Sequence, residues 1–269
     1  MYSIPPLFSD FIGLDCDRRR FIQDFLNRFG LDAPVVPVNG NNHIYVRFPM
    51  SQYSSLYKVK TVIAHYDRVP GTPGANDNSA SVFSLMEWAV RLFQCGNVHN
   101  VRLIFSDGEE LGELGVKSQG AYSLAALFRK LDITNDDVFV FDCMGRGTVP
   151  ILTQTVLPKG LSYDFINRFR ELEKRTQLLI KSVCGDRWYS LPCNYSDNAG
   201  FIANGIPAVA ITMLPENEIV DVVKGQMPKT WALNHTMGDN LSSIDGGAFD
   251  VTRGILDKLG SLLTLIPVQ

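Results

Sequence analysis

The chain has 269 residues, of which 45% are hydrophobic and 20% charged, as in ordinary globular proteins with a sizeable buried core. Its formal net charge of −3 and the lack of any Lys/Arg run give no basis for nucleic-acid binding. No apolar stretch approaches about 18 residues, so we expect no membrane-spanning helix and no membrane partner.

The N-terminal sequence MYSIPPLFSDFIGLDCDRRR lacks the basic stretch and following apolar core of a signal peptide. We therefore expect a cytoplasmic protein if this sequence is complete, and a secreted or periplasmic one if a leader has been removed. The five cysteines form no CxxC pair, and their odd number favours reduced thiols. A disulfide between Cys184 and Cys193, which would close a short loop, is the less favoured alternative.

Apolar residues recur at strand or helix spacing along the chain, and the two kinds of element alternate. The predicted strands are residues 35–38, 44–48, 60–64, 101–105, 138–141, 149–152, 178–183 and 208–213. The predicted helices run from Asp15 or Asp17 to about residue 28, and over residues 79–93, 120–130, 163–176, 197–204 and 245–265. Residues 214–240 are predicted to form a long polar loop.

This alternation predicts an α/β fold with three layers (α/β/α) and a mostly parallel, mixed central sheet. The sequence contains no internal repeat and no linker. Ordinary strand–helix units fill every interval between Asp67 and His235. We therefore expect a single domain over residues 1–269 with no inserted lid or dimerisation domain, in a monomer or an oligomer.

Residues that can bind metal follow the predicted strands, where an open α/β sheet keeps its functional groups. Carboxylates and imidazoles at one sheet edge would be costly to desolvate unless a cation binds them. A mixed Asp/Glu/His set suits Zn²⁺, and five ligands exceed what one tetrahedral zinc with an open position needs, so two ions that share a carboxylate fit better. The candidate residues fall into five clusters, each of which could supply one ligand: His65 with Asp67, Asp77, Glu109 with Glu110, Asp142, and His235.

Glu109 and Glu110 follow the predicted strand 101–105 after a break at residues 106–108. Neighbouring residues on an extended segment point in opposite directions, so one glutamate can bind a metal while the other acts on a water molecule. A glycosidase pair is excluded, because adjacent residues cannot readily flank one bond from opposite sides at the required carboxylate separation.

Four segments, AHYDRVPGTPGANDNSAS, IFSDGEELGELG, FDCMG and NHTMGDN, resemble in that order the motifs of the co-catalytic zinc aminopeptidases. That metallopeptidase family also contains glutamate carboxypeptidases and glutaminyl cyclases. The resemblance implies a zinc-exopeptidase-like fold and two zinc ions. It implies that one ion is held by His65 and Asp142 and the other by Glu110 and His235, with Asp77 bridging them.

The resemblance also implies an aminopeptidase that hydrolyses peptide bonds near the N-terminus of a peptide or small amide substrate. Glu109 would be the general base that takes a proton from a metal-activated water. Asp67 would orient His65, which agrees with the rule that residues two apart on a strand share a face and that metal-bound imidazoles donate their other N–H to a partner.

Two other functions stay open at this point. A glutaminyl cyclase with one zinc is suggested by AHYD and WALNHTMGDN, although residues 74–78 are closer to the peptidase motif and Asn234 stands where the cyclases carry tryptophan. A non-catalytic binding protein with a degraded site is the more remote alternative, because such a chain would typically have lost a ligand or the base.

Several residues outside these motifs have weaker signals. Asp197 is expected to cap a helix, with contact to the substrate as the alternative. Trp188, Tyr189 and Trp231 are candidate walls of a substrate pocket. His43 is expected to be an exposed or hydrogen-bonded loop histidine without a functional role.

Overall fold

A computed structural model describes residues 4–266 of the chain. The strands in this range are β1 (Val35–Val38), β2 (Asn41–Val46), β3 (Lys60–His65), β4 (Val101–Ser106), β5 (Asp137–Phe141), β6 (Val149–Thr153), β7 (Tyr189–Leu191) and β8 (Ala208–Leu214). They form one sheet in the order β1-β2-β4-β3-β5-β8-β6-β7.

The centre of the sheet is parallel and buried. β3 pairs in parallel with β4 and β5, and β5 pairs in parallel with β8. Every residue of β3, β5 and β8 is buried, as expected for strands covered on both faces. Antiparallel pairs join β1 to β2, β2 to β4 and β6 to β8, while β7 is parallel to β6. The predicted mixed, mostly parallel sheet is confirmed.

Helices cover both faces of the sheet, as the α/β/α prediction requires. They are α1 (Phe8–Phe11), α2 (Arg18–Arg28), α3 (Ala80–Cys95), α4 (Gly120–Lys130), α5 (Tyr163–Cys184), α6 (Asn198–Ala203), α7 (Ile219–Val223), α8 (Lys229–Leu233) and α9 (Gly246–Ser261). α3 leads from β3 to β4 and α4 leads from β4 to β5, and these two strands flank β3 on opposite sides. Right-handed crossovers therefore put α3 and α4 on opposite faces. α3 packs against α2 and α9, whereas α4 packs against α6.

Three local predictions are wrong. Residues 178–183 form no strand, because they continue α5, whose buried residues Thr176, Leu179 and Ile180 keep the helical spacing. The segment 214–240 is not a plain loop but contains α7 and α8. The prediction lacks β7, which pairs with β6 at the sheet edge. Its three residues are too few to show the alternation of apolar and polar residues that is typical of a strand.

One buried side chain joins the start of β3 to the end of the last long helix. Lys60 is 3% exposed, and its Nζ donates to the carbonyl oxygens of Leu259 at 2.9 Å, Gly260 at 3.3 Å and Leu262. The last carbonyl groups of a helix lack intrahelical partners, and they carry the negative end of the helix dipole. The Lys60 ammonium group therefore stabilises the C-terminus of α9 against the sheet.

We expect Lys60→Met to lower the free energy of unfolding by about 1–3 kcal/mol, because buried carbonyl groups lose their donor. Urea unfolding followed by circular dichroism measures this change. The control is Lys174→Met at an exposed position of α5, which should change stability by less than about 0.5 kcal/mol. Equal stabilities of the two variants would contradict the role of Lys60.

Candidate metal centre

The C-terminal ends of three parallel strands bring the candidate ligands to one edge of the sheet. His65 is the last residue of β3 and is paired in register with Ser106 at the end of β4. Asp142 directly follows β5, and its N–H donates to the Ile211 carbonyl of β8 at 3.0 Å. From β3 the chain continues to β4 on one side of β3 and then to β5 on the other side, so the order of strands reverses at β3. Ligands in open α/β sheets bind at such a switch point.

Asp77 lies between two groups of potential ligands. The first group is His65, Asp77 and Asp142, in which His65 Nε2 is 3.3 Å from Asp77 Oδ1 and 3.5 Å from Asp142 Oδ1. The second is Asp77, Glu110 and His235, in which His235 Nε2 is 3.3 Å from Asp77 Oδ2 and 3.1 Å from Glu110 Oε2. Asp77 therefore turns one carboxylate oxygen toward each group.

The donor atoms and their burial fit a pair of divalent cations. His65 is fully buried, and both of its ring nitrogens, like Asp142 Oδ1, lack a hydrogen-bond partner among the described residues. Burial lowers the pKa of His65, but contacts with Asp142, Asp67 and Asp77 raise it more, so that the net shift is upward. Contacts with Asp77 and Glu110 raise the pKa of His235 to about 11. Such clustered carboxylates and imidazoles are the ligand types that bind zinc.

Asp67 contacts both parts of the centre. Its Oδ1 is 3.4 Å from His65 Nδ1, on the side of the ring away from Asp77. Its Oδ2 accepts a hydrogen bond from the backbone N–H of Glu110 at 3.0 Å. The Asp67 side chain can therefore orient the His65 ring and hold the segment that carries Glu109 and Glu110.

Glu109 stands apart from both ligand groups. Its Oε1 accepts a hydrogen bond from Gln119 Nε2 at 2.9 Å. Burial raises the pKa of the Glu109 carboxyl well above its usual range; His65 opposes this shift and Asp142 and Asp197 add to it. Glu109 and Glu110 have different partners, Gln119 and His235. The extended geometry that was expected for them is wrong, because β4 ends at Ser106 and Glu109 has helical φ and ψ of −66° and −44°.

Asp77, Asp142, Glu110 and His235 of the two ligand groups line one cavity of about 410 Å³, and so does Glu109, whereas His65 is fully buried behind them. Trp231 lines this cavity as predicted, together with Cys193, Asn194 and Met227. Trp188 instead packs against the main hydrophobic core, and Tyr189 belongs to β7 with 43% of its surface exposed. Of the three candidate walls, Trp188 and Tyr189 are therefore not among the residues that line this cavity.

Two other residues differ from expectation. Asp197 does not cap α6 with its side chain; it is fully buried and accepts a hydrogen bond from Ser106 Oγ. Burial is the main cause that raises the pKa of Asp197 to about 7. His43 was expected to be an exposed or hydrogen-bonded loop residue. It is hydrogen-bonded, since its Nδ1 accepts from the Asp107 N–H at 3.2 Å, but it is buried and lies in β2.

Sequence reasoning missed the residues that hold the loop of Asp77. The Asp239 carboxylate accepts from the N–H groups of Asn76 at 2.7 Å and Asp77 at 3.0 Å. Asp239 lies in the same motif as His235, so it joins the loops of two candidate ligands. The position of Asp239 in NHTMGDN, the motif that contains His235, was the sequence signal that could have identified it. No such signal indicates that Gln119 contacts Glu109.

Comparison with known proteins identifies the family. Residues 44–258 match the family model described as peptidase family M28. The chain belongs to this family. A stretch of 109 residues is 34% identical to a Mycobacterium tuberculosis protein described as probable lipoprotein aminopeptidase LpqL, and the match spans 36% of this chain and 21% of that relative. The match thus covers about a fifth of the length of this curated relative.

Solved structures share the fold of the chain. A Zn-dependent exopeptidase from Parabacteroides distasonis superposes with a TM-score of 0.70 at 16% identity, over 95% of this chain and 96% of that one. A glutaminyl cyclase from Porphyromonas gingivalis gives a TM-score of 0.63 at 16% identity, over 90% and 87% of the two chains. Along residues 4–266, no helix is both long and apolar enough to cross a membrane.

We expect zinc to bind more weakly as the pH falls from about 8 to about 6, because the ligands must lose protons to bind a metal and the raised pKa values of His65 and His235 keep those protons bound. Competition with a coloured chelator at several pH values measures the affinity. Asp77→Asn should weaken binding at every pH. A zinc affinity that is the same at both ends of this range would contradict the assignment.

Proposed function

We propose that the chain is a zinc-dependent aminopeptidase that hydrolyses the peptide bond next to a free N-terminus. The observation that carries the proposal is the pair of ligand groups that share Asp77. The carboxylate of Glu109, which belongs to neither group, lines the same cavity. Membership of peptidase family M28 and the aminopeptidase description of LpqL support it. The zinc dependence of the Parabacteroides distasonis exopeptidase, which has the same fold, supports zinc as the metal.

In this proposal five side chains would hold two zinc ions: His65 and Asp142 one ion, Glu110 and His235 the other, with Asp77 shared by both groups. When bound, such ions lower the pKa of water, polarise the substrate carbonyl group and stabilise the negative charge that develops on its oxygen. Asp67 keeps the His65 ring in place through Nδ1, so that Nε2 faces Asp77 and Asp142. The chain thereby supplies a fixed set of ligands before the substrate arrives.

Glu109 acts as the general base. Gln119 binds its Oε1, which holds the carboxylate at the cavity wall and leaves the second oxygen able to take a proton from the attacking water. Burial raises the pKa of Glu109, which makes its carboxylate a stronger base than that of an exposed glutamate. The same carboxyl group can then give the proton to the amine that leaves.

We also propose that this site belongs to a single catalytic domain without an inserted lid. All seven candidate residues belong to, or directly follow, elements connected to the one sheet, and the intervals between them are occupied by the helices and strands of that fold. A glutaminyl cyclase remains the second candidate because the Porphyromonas gingivalis cyclase has the same fold. Two complete ligand groups favour the peptidase, since a cyclase would use one zinc.

The substrate class is tested by offering N-terminally free and N-terminally blocked peptides, including ones that begin with glutamine, to zinc-loaded protein. We expect stepwise removal of N-terminal residues from the free peptides only. Mass spectrometry identifies the products. Loss of ammonia from the glutamine peptides without hydrolysis would identify a cyclase and contradict the peptidase proposal.

We expect Glu109→Gln to lower kcat by about 10²–10⁴-fold while two zinc ions stay bound, because the amide cannot take a proton. Steady-state kinetics and metal analysis of the same sample measure both quantities. Glu171→Gln on the exposed side of α5 is the matched control and should leave kcat unchanged. Near wild-type turnover by Glu109→Gln would show that another group is the base.

A further inference from the structure

We propose that Arg18 is a positioning residue that fixes His65 and Asp77 relative to each other by joining the two ends of the loop between them. This inference rests on the proposed zinc site. Arg18 precedes residues 44–258, the part of the chain that matches the family model. It is the first residue of α2, and only 5% of it is exposed.

The guanidinium group of Arg18 binds the first residues of the loop. Its Nη1 donates to the carbonyl oxygens of Tyr66 at 3.1 Å and Asp67 at 3.2 Å. Tyr66 follows directly after the ligand His65, and Asp67 is the residue that contacts the His65 ring. The start of the loop is therefore held at the point where it leaves β3.

The other terminal nitrogen of Arg18 binds the far end of the same loop. Its Nη2 donates to the carbonyl oxygens of Pro73 at 2.6 Å and Gly74 at 3.1 Å, and to Ser79 Oγ at 2.5 Å. Ser79 Oγ in turn donates to the Gly74 carbonyl oxygen at 2.5 Å. These groups flank Asp77 on both sides, so one planar cation spans the loop.

The contact between the N-terminal segment and this loop is reciprocal. Arg18 lies over the ring of the buried Phe11, with 5.3 Å between its guanidinium carbon and the ring centroid. Arg68 points the other way, from the loop to the carbonyl oxygens of Gly13 at 3.0 Å and Leu14 at 2.7 Å. Two arginines thus cross the same interface in opposite directions.

The arrangement matters because the loop between His65 and Asp77 contains flexible glycines as well as prolines, whereas the ligand atoms at its ends lie 3.3 Å apart. Residues that hold metal ligands in place typically change metal affinity by about 10–100-fold when they are removed. The Arg18 charge also lies near the carboxylates of Asp67 and Asp77 and reduces their mutual repulsion. Lysine cannot reproduce a planar fork with several donors.

The test compares Arg18→Met, Arg18→Lys and wild-type protein after removal of metal. Arg20→Met is the matched control, because Arg20 lies on the same helix with 80% of its side chain exposed. Zinc affinity is measured by competition with a coloured chelator, and the geometry of the centre by the visible spectrum of the protein loaded with Co²⁺. Circular dichroism establishes that each variant is folded.

We expect Arg18→Met to weaken zinc binding by about 10–100-fold and to change the Co²⁺ spectrum, Arg18→Lys to recover part of the affinity, and Arg20→Met to match wild type. If Arg18→Met does not fold, Arg18→Lys is compared with Arg20→Met in its place. Wild-type affinity and spectrum in Arg18→Met, or in Arg18→Lys where Arg18→Met does not fold, overturn the role of Arg18. Failure of the wild-type protein to bind zinc would instead contradict the proposed function, and this inference with it.

Discussion

The structure of this site depends on the buried carboxylate of Asp77, whose two oxygens face two different imidazoles. Burial opposes the charge of Asp77, yet the contacts with His235 and His65 lower its pKa below the usual range. Glu110 and Asp142 add further negative charge on either side. An assembly of this kind is costly to bury unless cations hold it together, and it therefore determines the chemistry that the fold can carry.

The rest of the molecule keeps this assembly in place. The parallel strands β3, β4 and β5 end at one edge, and the residues that follow them contribute to both ligand groups. Asp239 holds the backbone of Asp77 from one side, while Arg18 holds both ends of its loop from the other. In our proposal Glu109 is the side chain that takes and returns the proton, and Gln119 keeps it at the cavity wall.

The sequence predicted the sheet well because its central strands are short apolar runs that end in polar residues, as with residues 60–64 before His65. The candidate ligands could be found because they lie in motifs directly after those strands. Residues 178–183 were wrongly predicted as a strand, since an apolar run of this length fits a buried strand and a helix face equally well. Whether Asp197 would face solvent or Ser106 depends on packing across the sheet, which local patterns do not encode.

Contacts between distant parts of the chain were the least predictable. Arg18 lies in a stretch with three consecutive arginines, and the local sequence does not distinguish the buried one from Arg20, which is exposed. Gln119 directly precedes the predicted helix 120–130, and nothing in the local sequence indicates that it contacts the proposed base. Such roles appear only when the fold brings the partners together.

The most direct measurement is X-ray diffraction from zinc-loaded crystals at wavelengths on either side of the zinc absorption edge, which locates zinc without assumptions about the ligands. The account predicts two anomalous peaks about 3.5–4 Å apart, one on each side of the Asp77 carboxylate. One peak should lie beside His65 and Asp142 and the other beside Glu110 and His235. A single peak, or zinc bound away from Asp77, would contradict it.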